Sequence, residues 1–209
     1  MTCPDGCCPA RCLDLFSGAG GAAMGLHRAW PHAHITGVDV RPMPRYPFEH
    51  VVADAMTYPL EGYDFIWASP PCQAYSVANN IHQAEHPRLI DAVRERLRAA
   101  GVPWIIENVP GAPMRHFAVV CGLALGLNVK RHRWFESSEL LFGTPCIGHD
   151  GDWLLVFGHT VLERGHQSGR AKGGGPVIHR RHVGTDRGRE AMGISWMNRD
   201  ELSEAIPPA

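Results

Sequence analysis

The chain has 209 residues, a hydrophobic fraction of 44% and a formal net charge of −1. That is enough for one α/β domain with a real core plus a small appendage, and it is not a polycation. No apolar run reaches the length of a membrane span, and the opening Met1-Thr2-Cys3-Pro4 lacks the basic start and apolar stretch of a secretion signal, so a cytoplasmic protein is expected.

Arg11-Cys12-Leu13-Asp14-Leu15-Phe16 reads as a first strand, ended by Ser17-Gly18-Ala19-Gly20-Gly21. A helix follows from Ala22 to Trp30, and Pro31 stops it. Ile35 to Val40 is a second strand; the next segment, through Pro47, is too proline-rich for regular structure. His50 to Ala53 is a third strand ending at Asp54, and Asp64 to Ala68 a fourth, leading into Ser69-Pro70-Pro71-Cys72-Gln73. Ala74 to Glu85 is polar and aperiodic and reads as a loop. Pro87 to Ala100 is a helix with Leu89, Ile90, Val93 and Leu97 on one face, closed by Gly101. Val102 to Ile106 is a fifth strand running into Glu107-Asn108-Val109-Pro110. Phe117 to Leu127 reads as helix and Val129 to Phe135 as a sixth strand.

Strands alternating with helices predict an α/β, Rossmann-like, mostly parallel sheet with helices on both faces over residues 1–137. Residues 138–188 are rich in Gly, His and Arg, with Trp153 to Phe157 as the one clear strand, and read as a small irregular lobe. Residues 189–209 return to helical composition and are expected to pack back on the first part. Between His159 and Arg189 seven Lys/Arg face two acids, a local excess that suits a polyanion.

Cys72 is delivered at the carboxyl end of a strand, where open α/β sheets bind ligands. A cysteine there becomes a strong nucleophile once its surroundings favour the thiolate. The glycine loop lets backbone approach a ligand and offers free helix N–H groups. Asp39 lies 21 residues beyond Gly18, the usual distance to an acid that holds ribose hydroxyls, and Asp54 ends the next strand. Of seven cysteines, Cys3, Cys7, Cys8 and Cys12 crowd the start without a standard metal-ligand spacing. Cys146 with His149 also lacks a recognised frame, Cys121 reads as core, and no metal is expected.

Asp14-Leu-Phe-Ser-Gly-Ala-Gly-Gly, Ser69-Pro-Pro-Cys-Gln, Glu107-Asn-Val and Arg131-His-Arg, in this order, resemble the DNA (cytosine-5)-methyltransferase family; Arg189-Glu-Ala-Met-Gly-Ile-Ser-Trp and Ala205-Ile-Pro-Pro resemble its closing motifs more loosely. The resemblance implies a methyltransferase fold with S-adenosylmethionine as cofactor. It implies that Asp14, Phe16, Ser17, Gly18, Gly20, Gly21, Asp39, Val40, Asp54, Ala55 and Pro70 surround that cofactor. Cys72 is the implied nucleophile toward cytosine C6, Glu107 the group on N3 and the 4-amino group, and Arg131 and Arg133 orient the base. Gln73, Ser76, Asn79, Arg164, Arg170, Lys172, Arg180 and Arg181 are the implied contacts to double-stranded DNA. The implied enzyme is a monomer in a bacterial or phage-infected cytoplasm, serving phage DNA modification or restriction-modification. The same chemistry on tRNA, or a binding module without turnover, are the alternatives. The recognition segment is much shorter than the family's, which implies a short or degenerate target. Ser203-Glu204 replace the family's Gly-Asn, and the chain stops at Ala209, where the family places a final helix.

Overall fold

The computed structural model describes residues 10–75, 87–146, 148–149, 153–157, 160–170 and 176–207. Seven strands form one sheet: β1 (Arg11–Leu15), β2 (His34–Asp39), β3 (Glu49–Val52), β4 (Phe65–Ala68), β5 (Trp104–Asn108), β6 (Ala118–Cys121) and β7 (His132–Ser137), in the order β3-β2-β1-β4-β5-β7-β6. The first five pair in parallel, whereas β7 runs antiparallel to both β5 and β6. The expected Rossmann-like, mostly parallel α/β fold is therefore present.

Strand residues alternate between faces, and the core follows that alternation. Leu13, Leu15, Val38, Ile66 and Ile106 pack against Ile90, Val93 and Leu97 of α2 (Ile90–Ala100). Cys12 and Ile35 pack instead with Ala23 and Leu26 of α1 (Gly21–Ala29) and with Tyr46. Helices thus cover both faces. The order reverses at β1, whose neighbours are β2 on one side and β4 on the other, and a crevice opens at the carboxyl ends of the strands at such a switch point.

A buried ion pair fastens α2 to β7. Arg94 is fully buried; its Nε lies 2.5 Å from Glu136 Oε1, and its Nη2 donates to Glu136 Oε2 at 2.9 Å and to the Pro113 carbonyl at 2.8 Å.

Two expectations are corrected. The segment from Phe117 to Leu127 is not a helix: it holds β6 and a short 3-10 turn at Leu123–Leu125. Val119 and Val120 are β-branched and pair across to Trp134 and Arg133. Gly122 then brings the chain so close that a side chain there would meet the Val129 carbonyl at 2.7 Å. Nor is the basic region irregular. It contains a three-stranded antiparallel sheet, β8 (Leu154–Phe157), β9 (Thr160–Arg170) and β10 (Pro176–His182), in the order β10-β9-β8. Strand pairing overrides a Gly- and Arg-rich local sequence there, because β-propensity is weak against context.

Leu154, Val156 and Val161 share a core with Met192 at the end of α3 (Thr185–Met192), with Ile194 and Met197, and with Leu202 of α4 (Arg199–Glu204). The closing segment meets the glycine loop and α1: Trp196 Nε1 donates to the Ala19 carbonyl at 2.8 Å, and Arg28 Nη2 to the Gly193 carbonyl at 3.2 Å. No helix among the described residues is long and apolar enough to cross a membrane.

Candidate active site

At the switch point lies a cleft of about 530 Å³, walled by the loops after β1, β2, β4 and β5, by Arg133 of β7 and by the closing segment. Phe16, Ser17, Gly18, Gly21, Asp39, Pro70, Cys72, Gln73, Glu107 and Arg133 all line it. Residues distant in sequence converge because the parallel strands end, and the antiparallel β7 begins, at the same edge of the sheet.

The Cys72 loop is held on every side. The Ser69 N–H donates to the Leu15 carbonyl at 3.1 Å, and Trp67 Nε1 donates to Ser69 Oγ at 2.8 Å. Asn108 Nδ2 donates to the Pro70 carbonyl at 2.8 Å, and the Tyr75 N–H to the Cys72 carbonyl at 3.0 Å. The thiol therefore sits on a braced turn whose other wall is the end of β5.

Charge around the thiol is balanced against burial. Burial pushes the Cys72 pKa up; Arg133 and, more weakly, Arg131 pull it down, while Glu107 adds to the rise. Burial also raises the Glu107 carboxyl, against the pull of Arg133 and Arg131. Arg133 Nε lies 2.6 Å from Glu107 Oε1, so the carboxyl and the guanidinium form an ion pair on the cleft wall.

The glycine loop turns sharply, with Phe16 at φ 57 and Gly18 at φ 48. The Asp39 carboxylate accepts the Gly18 N–H at 3.0 Å and the Arg41 N–H at 3.0 Å, which fixes the acid at the cleft floor. Ser17 Oγ is buried with no hydrogen-bond partner.

The opposite wall comes from the closing segment, and none of its residues was singled out as a site residue by the sequence. Met197, Asn198, Asp200, Glu201, Glu204, Ala205 and Ile206 close the cleft. Asn198 and Glu201 form a reciprocal capping box that starts α4. Glu201 also receives Arg45 through two bonds of 2.9 Å, tying this wall to the loop after β2. The Asn-x-x-Glu pattern at 198–201 is the one local signal for it.

A side chain on Gly21 would lie 2.1 Å from the Ile206 carbonyl oxygen, and that neighbour is backbone. Gly21→Ala is therefore expected to push the closing segment off the cleft. The expected cost is about 1–3 kcal/mol, read as a Tm lower by roughly 3–10 °C in thermal unfolding.

Several expected cofactor contacts lie elsewhere. Asp14 is fully buried away from the cleft lining and accepts the Tyr46 hydroxyl at 3.0 Å. Burial, reinforced by Asp39, pushes its pKa up to about 8, against the hydrogen bonds from Tyr46 and the Ala23 backbone. The folded state thus holds a proton that the unfolded chain releases above about pH 4. This stabilisation is full below that pH and is lost as pH rises toward about 8. Asp14→Asn, which carries no titrating proton, is expected to flatten the fall in urea midpoint between pH 5 and pH 8; an unchanged slope would contradict the assignment.

Gly20 serves as the left-handed cap of α1 at φ 88, packed on Pro47, rather than as cleft lining. Val40 is exposed, with two thirds of its surface free, and Ala55 is core. Asp54 caps a turn: its Oδ1 accepts the Met56 N–H at 2.8 Å and its carbonyl the Thr57 and Tyr58 N–H groups. Arg131 lies behind the cleft in an apolar cavity of about 410 Å³, with Nη1 donating to the Val156 carbonyl at 3.1 Å. Burial and Arg133 lower its pKa to about 9, which leaves it charged at neutral pH. Ser76, Asn79 and Lys172 lie outside the described residues. Arg164 and Arg170 fall on β9 and Arg180 and Arg181 on β10, with Arg164 opposite Arg180, but their side chains lie outside what the structure describes.

No family model and no curated protein matches the chain. Solved structures that align with it include a plantazolicin methyltransferase in complex with a triazolic analogue and SAH, at 17% identity over 48% of this chain and 39% of that chain, TM-score 0.34. The S-adenosylmethionine-dependent methyltransferase SibL aligns at 23% identity over 51% of this chain and 33% of that chain, TM-score 0.34. An RNA methyltransferase from Salinibacter ruber, bound to S-adenosyl-L-homocysteine, aligns at 12% identity over 65% of this chain and 86% of that chain, TM-score 0.41. The chain spans about two fifths of the length of the first of these and a third of the second.

Proposed function

We propose that this protein is an S-adenosylmethionine-dependent methyltransferase acting, as a monomer in a bacterial or phage-infected cytoplasm, on C5 of cytosine in duplex DNA. The observation that carries the reading is the convergence of Cys72, Glu107 and Arg133 on one cleft with the glycine loop and Asp39. The motif order in the sequence supports the same chemistry.

The residues present suit a nucleoside-type cofactor. Asp39 keeps lone pairs for ribose hydroxyls at the cleft floor, and Ser17 Oγ is a buried polar atom without a partner. Space beside Gly18 is open, with nothing within 4 Å of where a side chain would begin. S-adenosylmethionine, when bound, supplies an electrophilic methyl group.

The protein's task is to make cytosine C5 nucleophilic. Cys72 gives its proton to water and its thiolate adds to C6, breaking the C5–C6 π bond so that the electron pair moves to C5. Glu107 faces N3 and the 4-amino group and stabilises the charge that builds as the thiolate adds, and Arg133, paired with it, keeps carboxyl and base in register. Once C5 is substituted, removal of the C5 proton lets the C6–Sγ bond break and the ring regain aromaticity. The cytosine must leave the helix stack to reach this depth.

Nucleoside mass spectrometry of unmethylated duplex DNA and of tRNA, each incubated with the protein and S-adenosylmethionine, tests the reading. 5-Methylcytosine in DNA, made by the wild type and not by Cys72→Ala, is the expected result. Product in tRNA alone would move the substrate to RNA, and no product on either, with the cofactor shown to bind, would leave a binding module.

The basic residues between 159 and 189 are expected to act on phosphate. With about five such contacts, log affinity for duplex DNA should fall with log salt at a slope near −4 to −5. Affinity that stays flat across moderate salt would contradict this.

A further inference from the structure

We propose that Cys121, His132, Cys146 and His149 form a structural zinc site, in place of the metal-free chain expected from cysteine spacing. The ligand atoms of these four residues all lie within 4.8 Å of one another. Cys146 Sγ lies 3.2 Å from His149 Nε2 and 3.3 Å from His132 Nε2, and Cys121 Sγ lies 3.7 Å from His149 Nε2. A tetrahedron with Zn–S of about 2.3 Å and Zn–N of about 2.0 Å sets neighbouring S and N atoms about 3.5 Å apart. Three S–N distances already match that spacing, and all four ligand atoms lie close enough for small side-chain rotations to complete the tetrahedron.

The linear spacing hides this site because strand pairing builds it. Cys121 ends β6 and His132 begins β7, and the two are direct cross-strand partners. The loop after β7 then folds back against β6: the Thr144 N–H donates to the Val119 carbonyl at 2.9 Å, and the Cys121 N–H to Thr144 Oγ1 at 2.8 Å. The approach is tight enough that a side chain on Gly143 would meet the Val119 carbonyl oxygen at 2.7 Å. This docking brings Cys146 and His149 over the hairpin. Trp153, just before β8, donates from Nε1 to the His149 carbonyl at 2.8 Å, which fixes the far side.

Two thiolates and two imidazoles are soft and borderline ligands that favour zinc over calcium or magnesium. Four protein ligands leave no open coordination position, so the site is structural rather than catalytic. Binding displaces the two thiol protons, and the two thiolates balance the dication. The cross-link staples the β6–β7 hairpin to the chain entering the small sheet. It also bears on the cleft, because Arg133 Nη1 donates to the His132 carbonyl at 2.9 Å while its Nε meets Glu107. The site does not depend on the methyltransferase reading.

The test is metal content of the full chain, purified without a histidine tag, by inductively coupled plasma mass spectrometry. About one zinc per chain is expected in the wild type, retained in Cys3→Ser/Cys7→Ser/Cys8→Ser and lost in Cys146→Ser/His149→Ala. Cobalt titration of the apoprotein supplies a readout that needs no variant: tetrahedral d–d bands with thiolate-to-cobalt charge transfer are expected. Zinc retained by the Cys146/His149 variant, a wild type that stays metal-free after reconstitution, or a Cys121–Cys146 disulfide in the peptide map would overturn the proposal.

Discussion

Cys72→Ala is expected to lower cytosine methylation by at least about 10⁴-fold, the scale on which loss of a covalent nucleophile is felt, while cofactor binding stays unchanged. Among the described residues the other cysteines cannot substitute: Cys12 and Cys121 are buried elsewhere and Cys146 is outside the cleft. Without addition at C6, the ring offers no carbon nucleophile at C5, so the variant should bind and not turn over. The electrostatics give a second readout on the free protein. Because burial and Glu107 raise the Cys72 pKa, alkylation by iodoacetamide should be slow at neutral pH and quicken only above the range of an ordinary thiol. Glu107→Gln removes a negative charge that disfavours the thiolate, so the alkylation profile should move to lower pH even as methylation is lost. Arg133→Met removes the charge that favours the thiolate and should move it to higher pH. A Glu107→Gln profile displaced to higher pH would show that the carboxylate is not coupled to the thiol in this way.

Glu136→Leu is expected to cost about 3–5 kcal/mol, because it removes the buried, two-point partner of Arg94 and leaves the guanidinium only the exposed Asp91 carboxylate and the Pro113 carbonyl. At this chain length that corresponds to a Tm lower by roughly 6–20 °C. Arg94 has no exposed surface, and Glu136 takes both its Nε and its Nη2. Glu136 also accepts the Arg115 N–H at 2.7 Å, so its loss frees a second donor. The double variant Arg94→Met/Glu136→Leu should recover much of the deficit, since two apolar side chains fill the space without a buried charge. Recovery stays incomplete because the Pro113 carbonyl and the Arg115 N–H lose their partners. Thermal unfolding of the two single variants and the double variant measures the coupling; a cost for Glu136→Leu below about 1 kcal/mol would mean that water reaches Arg94.

Six of the seven strands of the first sheet were legible because their signals are local. Cys12 to Leu15, Ile35 to Val38 and Ile66 to Ala68 are short apolar runs bounded by Gly, Pro or Asp, and buried parallel strands read that way. The apolar stripe of α2 and its closing Gly101 are likewise written in helical spacing. The residues at the strand ends, Ser17 to Gly21, Asp39, Cys72 and Glu107, could be picked out individually, since turn chemistry and residue type mark them.

Position in space decided the rest. Asp14 and Asp39 both look like cofactor acids, yet strand alternation buries the first under Tyr46 and leaves the second on the cleft. Asp54 ends a strand as Asp39 does, but it does not line the cleft, and its Oδ1 accepts the Met56 N–H of its own turn. Arg131 and Arg133 are two apart and near-equivalent in sequence, and only Arg133 reaches the cleft. Val119 and Val120 read as helix by local pattern, yet pairing with β7 makes them strand, and β9 and β10 exist through each other rather than through propensity. The sequence by itself determined the alternating elements and the chemical types at their ends, because both rest on local sterics and hydrophobic period. Only the tertiary structure decided which of those groups share a cleft, and which four Cys and His side chains meet, because both depend on register between segments far apart in the chain.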